Sequence, residues 1–406
     1  MDALGSRLDT ARMMPTEKQA VRARKRVSTR SSSDATVPLA QRLTPVAAAT
    51  IWRGHGRAGA LDGEGPRLKP KLVWRSSDVE ISGDEWGGFP VEAGGLVTGG
   101  TGAHLAAVDA KTGEKIWQHK TSPSQSWPLG QAAVADGVVC ACSKDGMFAL
   151  DQQTGVQRWL WKASKIQGSP LINDGVAYVA SKNAVNAVDL VKGRKRWTCV
   201  VNSEVTAPIA FAGGVLFVTT DDALIAVEAA DGKRTLWQQK VSGGGVGPVL
   251  AGGLVLARGA EPDEFDTVIA FEQTTGEVVW KSHFGEETAG LNRLAPIAAA
   301  NGQLFVRDGN DALHALNAAT GQRQWVCAET ATALQSDGAM VVAAGVIYAI
   351  IKDVVAVAVQ EGKLLWRLRP EDIIRGRPIG FKARGSVAIA DGTLFVPMYD
   401  GLVALR

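Results

Sequence analysis

Short apolar runs separated by Gly-, Asn- and Asp-containing pairs fill the chain from about residue 71 to its end. Pro170-Leu171-Ile172 is followed by Asn173-Asp174-Gly175, and then by the apolar run Val176-Ala177-Tyr178-Val179-Ala180. Ala187 to Leu190 ends a third run, Lys192-Gly193 makes another break, and Arg194 to Val200 forms a fourth. Runs this short, bounded by turn residues, predict strands joined by tight hairpins. Glycine supplies the positive φ such hairpins need, and Asn or Asp tolerates it next best. The first hairpin of each unit carries that signal: Gly94-Gly95, Asp136-Gly137, Asp174-Gly175, Gly213-Gly214, Gly252-Gly253, Asn301-Gly302, Ala344-Gly345 and Asp391-Gly392. Eight such turns predict eight blades.

A second signal runs in phase with the first. Ala107-x-Asp109-x-x-Thr112-Gly113-x-x-x-Trp117 returns as Ala149, Asp151, Thr154, Gly155 and Trp159, and again as Ala187, Asp189, Gly193 and Trp197. Later copies end at Trp237, Trp280, Trp325 and Trp366, so successive tryptophans lie 42, 38, 40, 43, 45 and 41 residues apart. A period near 40 with strand-like content predicts an all-β fold, an eight-bladed β-propeller of four-stranded antiparallel blades. The last unit stops at Arg406 without its Gly-x-x-x-Trp strand, while Lys71-Leu72-Val73-Trp74 precedes the first complete unit. That N-terminal strand is expected to pair with the C-terminal blade and close the ring, which removes exposed sheet edges. The expected domains are therefore a basic, disordered segment at 1–70 and a propeller at 71–406.

Eight tryptophans (Trp74, Trp117, Trp159, Trp197, Trp237, Trp280, Trp325 and Trp366) hold equivalent places. Their predicted role is structural docking, each indole filling the wedge between neighbouring sheets and burying roughly 150–250 Å². The motif that carries them resembles the docking repeat of quinoprotein alcohol dehydrogenases, whose eight-bladed propeller holds pyrroloquinoline quinone (PQQ). The same repeat occurs in PQQ-like propellers without the cofactor, such as the scaffold lipoprotein of outer-membrane β-barrel assembly, and this chain is closest in style to those. The resemblance covers residues 71–406 and implies the fold; motif residues that hold blades together say little of chemistry.

Among the enzymes, the resemblance implies adjacent cysteines bridged over the quinone, a calcium held by oxygen ligands, a catalytic Asp and long insertions. Here the cysteines are Cys140, Cys142, Cys199 and Cys327. The first two share a strand face about 6.5–7 Å apart, a poor disulfide geometry. His55, His104, His119, His283 and His314 show no metal-ligand spacing, and His314 stands where the first repeat has Ala106. The Gly243–Gly247 run opens no helix, so it reads as a turn. Glu261 to Asp266 is an acidic tip that reads as a solvated loop. No catalytic residue, metal or cofactor is expected, with PQQ and calcium as the alternative.

Charge is unevenly placed. Residues 1–70 hold 13 Lys+Arg against 6 Asp+Glu, leaving 31 against 35 for the rest of a chain of net charge +3. A mildly acidic propeller is not a nucleic-acid groove. Residues 22–33 are basic and Ser-rich, with little to bury, which favours a solvated tail. Leu43 to Trp52 is late and broken by Pro45, so it makes a poor signal core, and no run reaches the ~20 apolar residues of a spanning helix. The expected location is cytoplasmic, with a periplasmic or secreted protein as the alternative.

Loops between blades, and those joining second to third strands, emerge on one face of a propeller. Trp86 and Phe89, Trp127 and Trp161 fall on or beside them, with Arg293 before blade six and Arg375 and Arg377 before blade eight. Aromatics beside Arg are what a recognition surface uses. Trp86 and Trp127 have a second reading, as plugs of the channel mouth. The expected function is a non-enzymatic, monomeric scaffold binding a protein or peptide partner or a small ligand. The alternative is a PQQ-dependent dehydrogenase or another enzyme using the mouth.

Overall fold

Every blade turns between its first two strands on a positive-φ pair, and most blades end on a strand with exposed positions. The computed structural model describes residues 60–61, 63–77, 79, 90–100, 104–121, 131–143, 145–241, 247–259, 267–284, 298–308, 311–331, 339–373, 385–398 and 401–406. Blade three shows the plan: Ile166–Asn173, Val176–Ser181, Ala184–Asp189 and Lys195–Val200, each antiparallel to the next. Eight such sheets form the propeller. First strands of adjacent blades touch one another and so line the inside of the ring. Second and third strands are buried, as Val138–Ser143 and Val346–Ile351 illustrate. Fourth strands such as Lys115–Lys120 are half exposed. All eight predicted hairpins carry positive φ at both central positions, Asp174 (45°) and Gly175 (67°) among them.

The recurrent motif explains how blades join. Asp109 Oδ1 accepts the amides of Lys111 and Thr112, and the Gly113 amide donates to the Asp109 carbonyl. This Asx-type turn is rebuilt at Asp151, Asp189 and Asn317. These bonds hold the Asp109 and Asp189 carboxyls below the usual range, and Arg158 is the main cause of the drop to about 2 at Asp151. The glycine of each turn lies against the tryptophan of the preceding blade. A Cβ at Gly193 (φ +64°) would stand 2.5 Å from Trp159, so both conformation and space require glycine there. The indole N–H of Trp159 donates to the Leu190 carbonyl at 2.8 Å, and Trp117, Trp237, Trp280 and Trp325 repeat the bond to Gln152, Gln273, Ala318 and Val359. Within its own blade each tryptophan pairs with an alanine, as Trp197 with Ala187, and the register slips just beyond it. The motif's alanine is thus the small partner that leaves room for the indole.

Closure follows the predicted route with one addition. Leu72–Ser76 pairs antiparallel with Gly401–Leu405, Trp74 lying opposite Ala404, and Lys71 and Arg406 exchange backbone hydrogen bonds of 2.8 and 2.9 Å. Blade eight therefore lacks a covalent turn between its third and fourth strands. Residues 64–66 stand in for it: the Pro66 carbonyl accepts the Trp366 indole N–H at 2.9 Å, and the Glu64 carbonyl accepts the Gly392 amide. Upstream, Ala60–Leu61 adds a parallel strand to the inner edge of blade seven, opposite Val342 and Ala343. Described residues before 70 therefore also pack on blades seven and eight. The basic stretch at 22–33 and the candidate signal core at 43–52 lie outside the described residues.

Two outcomes test this account. Burying an indole of about 200 Å² is worth ~5 kcal/mol gross at ~25 cal/mol/Å², whereas its hydrogen bond contributes ~1 kcal/mol. Trp237→Ala is therefore expected to cost ~3–5 kcal/mol in urea denaturation and Trp237→Phe much less. Truncations removing residues 1–59, 1–65 and 1–76 should show successively lower melting temperatures. The last should also oligomerise through the bared Gly401–Leu405 edge; equal melting temperatures for the first and last would refute the closure.

Candidate partner-binding face

Chain direction gives the ring two unlike faces. Hairpins and docking turns lie on one; second-to-third-strand loops and blade connections lie on the other. The connecting face of blades six and seven carries a cluster of charged side chains. Arg307 ends the second strand of blade six, at the place held by Gly100, Cys142, Ala180 and Thr219 in blades one to four and by Arg258 in blade five. It is 1% exposed, and its guanidinium stands 3.4 Å from the Asp311 carboxylate, which is buried as well. The next residue, Asp308, spans the loop: Oδ1 accepts the Ala312 amide at 3.0 Å and Oδ2 meets His314 Nε2 at 2.8 Å. His314 lies edge-on to Phe284, and its Nδ1 is buried with no partner. Thr330, at the end of the 3-10 turn Ala328–Thr330, accepts the Leu313 amide and bonds the Asp311 carbonyl at 2.9 Å.

Blade seven continues the cluster. Arg367, on its outer strand, donates to the Glu329 carbonyl of blade six and stands 3.4 Å from Asp353. Burial pushes the Asp353 carboxyl up, and Arg367 and Arg369 partly offset that. Among the paired side chains of this cluster Arg307 and Asp311 are buried, and Arg367 is the most exposed charge. Among the described residues no group of three or more His, Cys, Asp or Glu could hold a metal ion.

Of the residues expected at a recognition surface, Trp86, Phe89, Trp127, Arg293, Arg375 and Arg377 lie outside the described residues, as do His55 and the acidic tip at 261–266. Trp161 is described. It pairs with Met147 and, half buried with Trp159 and Ile166, packs against the cluster between blades two and three. The eight docking tryptophans occupy the predicted places, Trp74 and Trp366 included. The sequence reading missed Arg307, Asp308, Asp311 and Asp353. The signal was available in Val306-Arg307-Asp308, which breaks the apolar register of a second strand. His119 packs on Phe148, where burial lowers its pKa, and His283 bonds Thr267 at 2.6 Å. All four cysteines are free and buried; burial pushes Cys140 and Cys142 far up, and Cys327 to about 11. They do not offer a quinone the adjacent pair that the enzymes' resemblance implied.

A family model described as outer membrane protein assembly factor BamB matches residues 69–164, 101–209, 181–261 and 233–371. The chain belongs to that family. It is 28% identical over 215 residues to the outer membrane protein assembly factor BamB of Burkholderia pseudomallei, covering 48% of this chain and 53% of that protein. It is 25% identical over 228 residues to the serine/threonine-protein kinase AfsK of Streptomyces griseus, 54% of this chain but 23% of the kinase. The chain thus spans about half or less of these relatives' lengths. The BamB structure from Moraxella catarrhalis superposes with a TM-score of 0.61 at 14% identity, covering 83% of this chain and 99% of that one, a likeness of fold. The cytoplasmic location expected from the sequence is overturned by this family, whose members are named for assembling outer membrane proteins. That expectation rested on a missing apolar leader, and such an absence is silent on compartment. Among the described residues no helix is long and apolar enough to cross a membrane.

The buried pair carries a prediction. Removing one partner of a buried ion pair typically costs ~3–5 kcal/mol, whereas an apolar replacement of both is often neutral. Asp311→Ala should destabilise by that amount in urea denaturation, and Arg307→Met/Asp311→Leu should recover most of it. Additive losses in the double-mutant cycle would show the two side chains to be uncoupled.

Proposed function

We propose that this chain is a non-enzymatic scaffold whose connecting face captures a protein partner in outer membrane protein assembly. The observation that carries the reading is the chain's place in the BamB family, beside a connecting face on which Arg367 is the most accessible charge of the paired cluster. The Arg307–Asp311 and Asp308–His314 pairs tie together the described ends of the loop between the second and third strands. Arg367 ties the next blade to the same cluster. A pre-ordered surface loses less entropy on association, which favours affinity at a given area. Trp86, Trp127, Arg293, Arg375 and Arg377 belong by sequence to the loops of this face and are its proposed anchors. No cofactor takes part in this reading.

Full-length protein immobilised as bait in an extract of its source should retain outer-membrane assembly components, identified by mass spectrometry. Trp86→Ala/Trp127→Ala should weaken that capture about thirtyfold, since hot-spot aromatics cost ~2 kcal/mol or more, with little change in melting temperature. Undiminished capture would move the surface elsewhere. Titration with PQQ and calcium should give no saturable tryptophan quenching, and turnover of any alcohol would replace this reading with a dehydrogenase.

A further inference from the structure

The opposite face of blade six departs from its repeat in another way. In blades two and three, the docking-turn aspartate pairs with an arginine seven residues on: Asp151 with Arg158 at 2.7 Å and Asp189 with Arg196 at 2.8 Å. Blade six has Asn317 and Gln324 at those two places. Beside them Gln303 replaces the valine (Val138, Val176) that follows the hairpin glycine in blades two and three. These carboxamides, with Asn301 and with Gln360 from blade seven, line a pocket of about 430 Å³ floored by glycine and alanine.

Hydrogen bonding inside the pocket is incomplete in a definite pattern. Asn317 Oδ1 is taken by the amides of Ala319 and Thr320, which leaves its Nδ2 as a donor. Gln303 Nε2 donates to Gln324 Oε1 at 2.5 Å, leaving the Gln324 amide nitrogen as a second donor. Gln303 Oε1 is buried and has no partner. A buried acceptor left unpaired is costly, and a ligand hydroxyl would satisfy it. No charged side chain lines the pocket, so nothing there selects an ion. No aromatic or large aliphatic side chain lines it, so nothing seats an apolar group. Peptide capture in an apolar groove needs side-chain sockets, and the lining supplies none. A neutral ligand dense in hydroxyls, each both donor and acceptor, fits what remains. The volume lies at the lower end of ligand pockets, room for roughly one or two sugar rings.

We propose that the carboxamide pocket of Gln303, Asn317, Gln324 and Gln360 is a binding site for a neutral saccharide. It lies on the face opposite the partner-binding one and stands independently of that assignment. The test is saturation-transfer NMR of the full-length chain with maltose, cellobiose, N-acetylglucosamine and, as a peptide probe, acetyl-Gly-Asn-Gly-amide. At least one saccharide should show saturable transfer at millimolar concentration. Asn317→Asp/Gln324→Arg, which installs the ion pair that blades two and three already accommodate, should weaken it at least tenfold without lowering the melting temperature. Gln303→Val, the residue of those same blades, should do likewise. No saturable saccharide signal, equal binding by the variants, or binding of the tripeptide in preference to every saccharide would each overturn the assignment.

Discussion

The contact between one blade's tryptophan and the next blade's turn is the interaction on which the ring depends. It couples three requirements at one point: an indole face against a glycine, an indole N–H on the carbonyl of the turn, and an alanine across the strand pair. Each blade supplies the tryptophan on its outer strand and offers its own turn to its predecessor. A β-sheet cannot bury both faces alone, and here each blade buries one face on each neighbour. Inter-blade clusters such as that joining Tyr178 and Val185 to Leu216 and Ile225 are the result.

With the outer and inner rims so fixed, the two faces of the ring are free to differ between blades. Blade six uses that freedom twice. On the connecting face it buries an arginine–aspartate pair at the loop between its second and third strands. On the turn face it exchanges an aspartate–arginine pair for two carboxamides without altering the turn, because Asn317 Oδ1 accepts the same two amides that an aspartate would. The substitution is conformationally silent and chemically loud, the combination expected where a scaffold is conserved in shape and varied in surface.

The fold was legible in the sequence because its determinants are local and repeated. A positive-φ hairpin, an Asx turn and a tryptophan at fixed spacing each signal through a few neighbouring residues, and eight copies of the hairpin and the tryptophan separate signal from accident. The site was far less legible. Arg307 and Asp311 lie four residues apart, but only the burial of both shows that they act as a pair. Asp353 and Arg367, or Gln303 and Gln324, meet across strands that sequence spacing alone does not align. Residues 64–66 escaped notice for a similar reason: Gly-Pro beside acidic and basic residues has a loop's composition, and its role comes from the Trp366 indole lodged against it. Trp161 illustrates the converse, an aromatic near a strand end that is half buried against the cluster between blades two and three.

The exchange of backbone hydrogen bonds between Lys71 and Arg406 places the beginning of the propeller against its end. Seven blades carry a covalent turn between their third and fourth strands and the eighth does not, so the ring is a closed circuit interrupted at one interchangeable point. A chain reopened between two other blades, with Arg406 joined to Lys71 through a copy of the Asp-x-x-Thr-Gly turn, would trace the same circle from a different origin. Where this polypeptide starts is thus a matter of gene order, and the architecture itself has no first blade.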